Sequence, residues 1–302
     1  MGLIDIWKRR AWRRDDDAIR AFDGLAPAIV ITGGSDGIGL ALAQEFASPD
    51  FATVLIARTP EKLETARNTL NASGHNNVLT LPLDITVATA AGQINTFLGT
   101  HGLYADILIN SAGIGTTGDF ALEPVEKLTA TTELNVTALT TLCRAFLPDM
   151  LVRGRGGIIN VSSLGGFAPG PYQAAYYASK AYVISLTRAL AHENRGQGVR
   201  FATLASGPVN TEFHARANGE SALYRHILPA MSAEQIARST KRGYSLGRSL
   251  IVPGIFGNLI ALALRILPAM LTTPIVAILL KPRMKVTRPK ITNVTTNGPT
   301  KD

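Results

Sequence analysis

One cysteine in 302 residues rules out a disulfide within the chain. Cys143 stands in a helical pattern with Arg144 as its one basic neighbour, so it reads as a small buried apolar residue and not as a reactive thiol. Histidine is scarce as well. The five, at positions 75, 101, 192, 214 and 226, show no spacing that suits zinc, and no metal site is expected. Repeats and low-complexity blocks are absent, and nothing between 26 and 247 has the composition of a linker. The stretch from Met1 to Arg14 lacks an apolar core long enough for a signal peptide, and Ile6 occupies the position where myristoylation expects Ser or Thr. A cytoplasmic protein is expected.

Acidic residues fall short of basic ones, 22 against 30, which gives a formal charge of +8. The excess sits at the ends. From Lys281 to Asp302 six Lys/Arg face one Asp, a net +5, and Met1 to Leu25 carries +1 from six Lys/Arg and five Asp. The rest is nearly neutral, so no nucleic-acid partner is expected. The composition, 46% hydrophobic over this length, supports one large core, read as a single unit over 26–281 between a charged leader (1–25) and a basic, disordered tail (282–302).

Within that unit, apolar runs at 28–31, 53–57, 78–83, 106–110, 157–162 and 199–205 alternate with helical patterns around 38–47, 60–71, 87–98, 124–151 and 176–194. Such alternation predicts an α/β, doubly wound Rossmann fold: a mostly or wholly parallel sheet, helices on both faces, and ligands at the carboxyl ends of the strands.

The first run leads into Thr32-Gly33-Gly34-Ser35-Asp36-Gly37-Ile38-Gly39 and then a helical pattern. Glycines let a backbone approach a pyrophosphate closely, and a helix N-terminus turns unpaired N–H groups toward it. A tight turn that packs helix on sheet is the plainer reading. Further on, Tyr176 precedes Lys180 by four residues, with Ser162 and Ser163 upstream. On a helix, that spacing sets the ammonium beside the phenol, and a fixed cation draws a phenol down from its ordinary pKa of ~10. The pair makes an acid suited to carbonyl reduction, or it is a solvated helical pair.

Taken together and in order, these segments resemble the short-chain dehydrogenase/reductase family across roughly 28–212. Thr32 to Gly39 fits its TGxxxGxG turn, Leu83-Asp84-Ile85-Thr86 its acidic segment, and Asn110-Ser111-Ala112-Gly113 stands where the family has NNAG. Asn135, Ser163, Tyr176 and Lys180 match its catalytic tetrad. Ser163 is preferred to Ser162, and Tyr176 to Tyr177, because the family usually keeps a thirteen-residue offset from serine to tyrosine and a four-residue offset from tyrosine to lysine. The resemblance implies that Thr32, Gly33, Ser35, Asp36, Gly37, Ile38 and Gly39 form the floor of a dinucleotide site. It places Asp84 at the adenine, Asn110, Ala112 and Gly113 at the nicotinamide, and Asn135 at a water that links Lys180 with solvent. Asp84 is otherwise a cap for the helix beginning near Val87, and Asn135 a mid-helix asparagine bonded to its own backbone. After the last strand Gly207, Val209 and Thr211 are expected on the cofactor, although Ser206 replaces the proline that the family commonly has there.

The second strand runs into Arg58 with no carboxylate before Glu61. An acidic residue would hold the ribose hydroxyls of NAD, whereas an arginine accepts the 2′-phosphate of NADP. NADP(H) is therefore the expected cofactor, with NAD(H) second and a plain surface arginine the alternative.

The expected function is reduction of a carbonyl to an alcohol, or the reverse, on an apolar or amphipathic substrate with Tyr176 as general acid/base. The alternatives are a silent NADP-binding sensor or scaffold, and an NADP-retaining epimerase or isomerase. Residues 210–231 read as a substrate lid bearing Phe213, Leu223, Tyr224, Ile227 and Leu228. The hydrophobic pieces beyond resemble the long-chain 3-oxoacyl reductase or hydroxysteroid dehydrogenase branch. Between Leu250 and Leu280 the one charge is Arg265, but Pro253, Pro268 and Pro274 divide the stretch below the ~20 residues of a membrane span. Two short helices over about 254–281 are expected. They pack over the cleft or form the face of a homodimer or larger homo-oligomer; peripheral membrane contact through 250–302 is the other reading.

Overall fold

The computed structural model describes residues 20–209 and 230–281. The expected lid therefore lies outside the described residues except for its last two positions, as do Thr211 and the basic tail.

Seven parallel strands form one sheet in the order β3-β2-β1-β4-β5-β6-β7. They are β1 (Ala26–Thr32), β2 (Ala52–Ala57), β3 (Val78–Pro82), β4 (Leu103–Asn110), β5 (Gly156–Ser163), β6 (Val199–Ser206) and the two-residue β7 (Leu250–Ile251). The order runs outward in both directions from β1 and β4, so a crevice opens at their carboxyl ends. The strands read as unbroken apolar runs because both faces are covered. In β1, Ala28 and Val30 point into one helical layer and Ile29 and Ile31 into the other, all nearly inaccessible.

Helices α1 (Gly37–Phe46) and α2 (Pro60–Ala72) cover one face, with Leu42, Leu63 and Leu70 in its core. The other face carries α3 (Ala90–Thr100), α4 (Val125–Thr132), α5 (Leu139–Arg153) and α6 (Ala174–Glu193), with Ile94, Leu142 and Val183 buried there. The expected helix over 124–151 is interrupted: Glu133–Ala138 forms a π-turn between α4 and α5. The helix expected from Val87 begins at Ala90.

Later in the chain, α7 (Ala233–Ser245) completes the first layer by burying Ile236 and Ala237 beside α1. Its start is a capping box, in which Ser232 Oγ accepts from the Gln235 N–H at 3.2 Å and Gln235 Oε1 accepts from the Ser232 N–H at 3.0 Å. The Ser-x-x-Gln pattern was a local signal for this helix that the strand and helix periodicities passed over. Two apolar helices follow, α8 (Ile255–Ile266) and α9 (Ala269–Leu280), and they lie at the carboxyl edge of the sheet.

Candidate active site

The glycine turn is built for close approach. Gly33 has φ 65°, and a Cβ there would stand 2.8 Å from the Ala112 backbone. A Cβ on Gly39 would run into the Gly33 carbonyl oxygen, so α1 is seated directly on the turn. The first N–H groups of α1 donate no hydrogen bond to the Asp36 side chain, and Gly37, Ile38 and Gly39 line the cavity above it. Unfilled space and uncapped donors at a helix N-terminus fit a phosphate group.

Thr32 fastens this turn to the next loop. Its Oγ1 accepts from the N–H groups of Ser111 and Ala112 at 3.2 and 3.3 Å, which sets the backbone of Ala112 and Gly113 over the cavity. Asn110 does a different task from the one expected of it. Its side chain points into the protein and donates to Asn160 Oδ1 at 2.8 Å, while Asn160 donates to Thr187 Oγ1 at 2.9 Å, tying β4 to β5 and α6. Cys143 joins this cluster, and burial pushes its thiol up to about 12.

The π-turn brings Asn135 to the same loop. Asn135 donates to the Ile114 carbonyl at 2.8 Å and accepts from the Ile114 N–H at 3.0 Å; its second N–H goes to Ser179 Oγ at 3.0 Å. It does not bond its own helix, and both its donors are spent within the protein. Ser179, which sequence reading missed, passes the connection on by donating to the Tyr176 carbonyl at 2.7 Å. Gln173 and Thr117, bonded at 3.0 Å, close the loop from the other side. Beside them Tyr172 takes a left-handed φ of 66°, and its carbonyl accepts from the Gly118 N–H at 2.9 Å.

Ser163, Tyr176 and Lys180 line one cavity. The two serines divide their work. Ser162 is buried and donates to the Lys180 carbonyl at 2.8 Å, whereas Ser163 accepts from the Gly165 N–H at 3.1 Å and keeps its O–H to donate. Lys180 Nζ donates to the Val161 carbonyl at 3.0 Å and lies 5.7 Å from the centre of the Tyr176 ring. Burial at 5% exposure draws Lys180 down to about 8. A Cβ on Gly113 would approach Asn135 Oδ1 and Lys180 Nζ to 3.2 and 3.3 Å, so the glycine leaves room over both.

The cavity has a volume of about 810 Å3 and runs from the glycine turn past the tyrosine to the C-terminal helices. At one end Arg58 and Lys62 stand beyond the tip of β2, and Lys62 also pairs with Asp36 at 3.8 Å. Asp84 sits nearby, accepting from the Thr86 N–H at 3.0 Å and hydroxyl at 2.7 Å; the backbone bond, more than Arg58, holds its carboxyl below the usual range. Asp84 thus closes its own turn and does not cap α3. Gly207 and Val209 line the middle, and Ile260, Leu264, Val276 and Leu280 form the far wall. Among the described residues no helix is long and apolar enough to cross a membrane.

A doubly wound sheet with a glycine cradle and a Ser-Tyr-Lys cluster in one crevice defines the class of nicotinamide-dependent oxidoreductases, and comparison with known proteins agrees. The family model for short chain dehydrogenases matches residues 27–222. The chain is 31% identical over 239 residues to 17-beta-hydroxysteroid dehydrogenase type 3 of Danio rerio, covering 75% of this chain and 72% of that protein. It is 31% identical over 189 residues to very-long-chain 3-oxoacyl-CoA reductase of Rattus norvegicus, covering 60% of this chain and 59% of the relative. Among solved structures, a short-chain dehydrogenase from Sphingobium yanoikuyae in complex with NADPH superimposes with a TM-score of 0.69 at 29% identity, over 78% of this chain and 92% of that one. The chain belongs to the short-chain dehydrogenase family.

Proposed function

We propose that this protein is an NADP(H)-dependent oxidoreductase that reduces a carbonyl to an alcohol, or runs the reverse reaction, on an apolar or amphipathic substrate. The carrying observation is that Ser163, Tyr176 and Lys180 share one cavity with a glycine cradle at one end and an aliphatic wall at the other.

The cofactor would lie along Gly33, Gly37, Gly39 and the Ala112–Gly113 backbone, and when bound it supplies hydride. Ser163 and Tyr176 then hydrogen-bond the carbonyl oxygen, stabilising the charge that grows there, and Tyr176 gives up its proton. Lys180, held against the Val161 carbonyl, keeps positive charge beside the phenol and favours the phenolate left behind. Asn135 and Ser179 hold the loop and the start of α6 in register for this work.

NADP(H) is the reading over NAD(H) because Arg58 and Lys62 line the cavity beyond the end of β2, and cations there suit a 2′-phosphate. The NADPH complex of the Sphingobium relative supports this choice. The apolar far wall supports a substrate with a hydrocarbon body, and the similarity to a 17-beta-hydroxysteroid dehydrogenase and a very-long-chain 3-oxoacyl-CoA reductase supports the same reading.

Purified protein with NADPH, tested against carbonyls from short aldehydes to ketosteroids and long-chain 3-oxoacyl thioesters, checks this reading. Loss of nicotinamide absorbance that is fastest with the apolar members is expected. No turnover with any of them would overturn it.

A further inference from the structure

The two C-terminal helices are apolar on both sides. Toward the protein, Ile260, Leu264, Val276 and Leu280 wall the cavity. Away from it, Ile255, Leu259, Leu262 and Ile266 of α8 fall at helical spacing on one face, with Ile255 at 80% exposure. Met270, at 82% exposure, and Ile278 extend that surface along α9. No acidic residue interrupts it, since Arg265 is the one charge from Leu250 to Leu280. So much contiguous exposed apolar area calls for a partner.

The wall of the cavity reaches this same surface. Leu267 and Ile275 line the cavity and are also 45% and 57% exposed, so among the described residues two apolar side chains join the cavity's interior to the outer face.

We propose that α8 and α9 lie in the interface of an anionic lipid surface and that the carbonyl substrate passes from the lipid into the cavity between Leu267 and Ile275. The part about substrate rests on the reductase reading above. Each helix has 12 residues, about 18 Å at ~1.5 Å per residue, too short to span ~30 Å of hydrocarbon but suited to lying flat in the headgroup layer. Charge selects the occupant. The sequence leaves α9 directly into a segment of net +5, and each Lys or Arg near an anionic surface raises partitioning about fivefold. A second copy of the chain on this face would bring two such segments together, and like charge opposes that pairing.

Flotation with phosphatidylcholine vesicles, with and without phosphatidylserine, tests the docking. The full chain is expected to float with the anionic vesicles and much less with the neutral ones. Ile255→Asp and Ile266→Asp lie outside the cavity lining and are each expected to lower anionic-vesicle partitioning by at least about tenfold. Turnover of a short water-soluble ketone should be unchanged in these variants, while turnover of a long-chain ketone dissolved in the vesicles falls. A wild-type protein that stays in the aqueous fraction, or variants that float as well as wild type, would overturn the proposal. So would a wild-type dimer that Ile266→Asp splits without any vesicle binding, which assigns the face to a second copy. Absence of turnover with every ketone would count against the reductase reading alone, and flotation would still decide the docking.

Discussion

The Asn135 side chain holds both backbone groups of Ile114, accepting from its N–H at 3.0 Å and donating to its carbonyl at 2.8 Å. This two-point clamp crosses from the π-turn to the loop after β4 and leaves Asn135 itself 1% exposed. Replacing Asn135 with Leu would leave a part-buried N–H and a part-buried C=O of Ile114 without their partners, and fully buried groups of this kind cost about 1–3 kcal/mol each. We expect a loss of about 1–3 kcal/mol in denaturant unfolding together with lower turnover. Unchanged stability would mean that the loop holds its place without the clamp.

Tyr176→Phe removes a phenolic proton from the cavity that Ser163 and Lys180 also line. Removing a positioned general acid costs on the order of 10²–10⁴ in kcat. NADPH affinity, measured by fluorescence titration, should stay within about twofold, because the glycine cradle and Arg58 are untouched. Comparable turnover by the variant would take the tyrosine out of the reaction.

Lys180 gives stability an unusual pH dependence. Burial lowers its pKa from 10.5 to about 8, so below 8 the folded chain bears the full cost of a buried ammonium. Between 8 and 10.5 the folded chain has released that proton and the unfolded chain has not, so this group's contribution rises with pH; above 10.5 both forms are neutral. The swing is about 3 kcal/mol at most. Chemical denaturation of the cofactor-free protein at a series of pH values, compared with Lys180→Met, should show the rise in wild type and its loss in the variant. Parallel curves would refute this assignment.

Arg58→Asp exchanges a cation for an acceptor at the end of β2. A charge-assisted contact to phosphate is worth about 1.5–3 kcal/mol, so KM for NADPH should rise roughly 10- to 100-fold while KM for NADH falls. Steady-state kinetics with both cofactors measures this, and equal effects on the two would detach Arg58 from cofactor choice.

Much of the fold was legible in local pattern. Apolar runs such as Ala28–Ile31 read as buried parallel strands because both of their faces meet helices, and the Gly33–Gly39 turn carried its own geometry in its residue types. The element boundaries were less so. Asp84 was a fair helix cap on paper, yet its carboxylate is consumed by Thr86 two residues on, and α3 starts later. Asn110 shows the same limit at the site: its residue type fitted a cofactor contact, but the pleat of β4 turns the side chain inward to Asn160.

Residue spacing alone was enough to set Tyr176 beside Lys180 on one helix face and to read a tight glycine turn ahead of a helix, because these depend on helix period and backbone sterics within a few residues; the preference for Ser163 over Ser162 came from the family resemblance. Contacts between distant segments decided the rest. Lys180 is drawn down by the burial that packing around β5 imposes, Asn135 reaches a loop 21 residues away through a π-turn, and α8 and α9 become a cavity wall by packing at the carboxyl edge of a sheet whose other strands lie far back in the sequence. Burial and cavity shape are properties of which surfaces meet, and no single stretch of chain contains both surfaces.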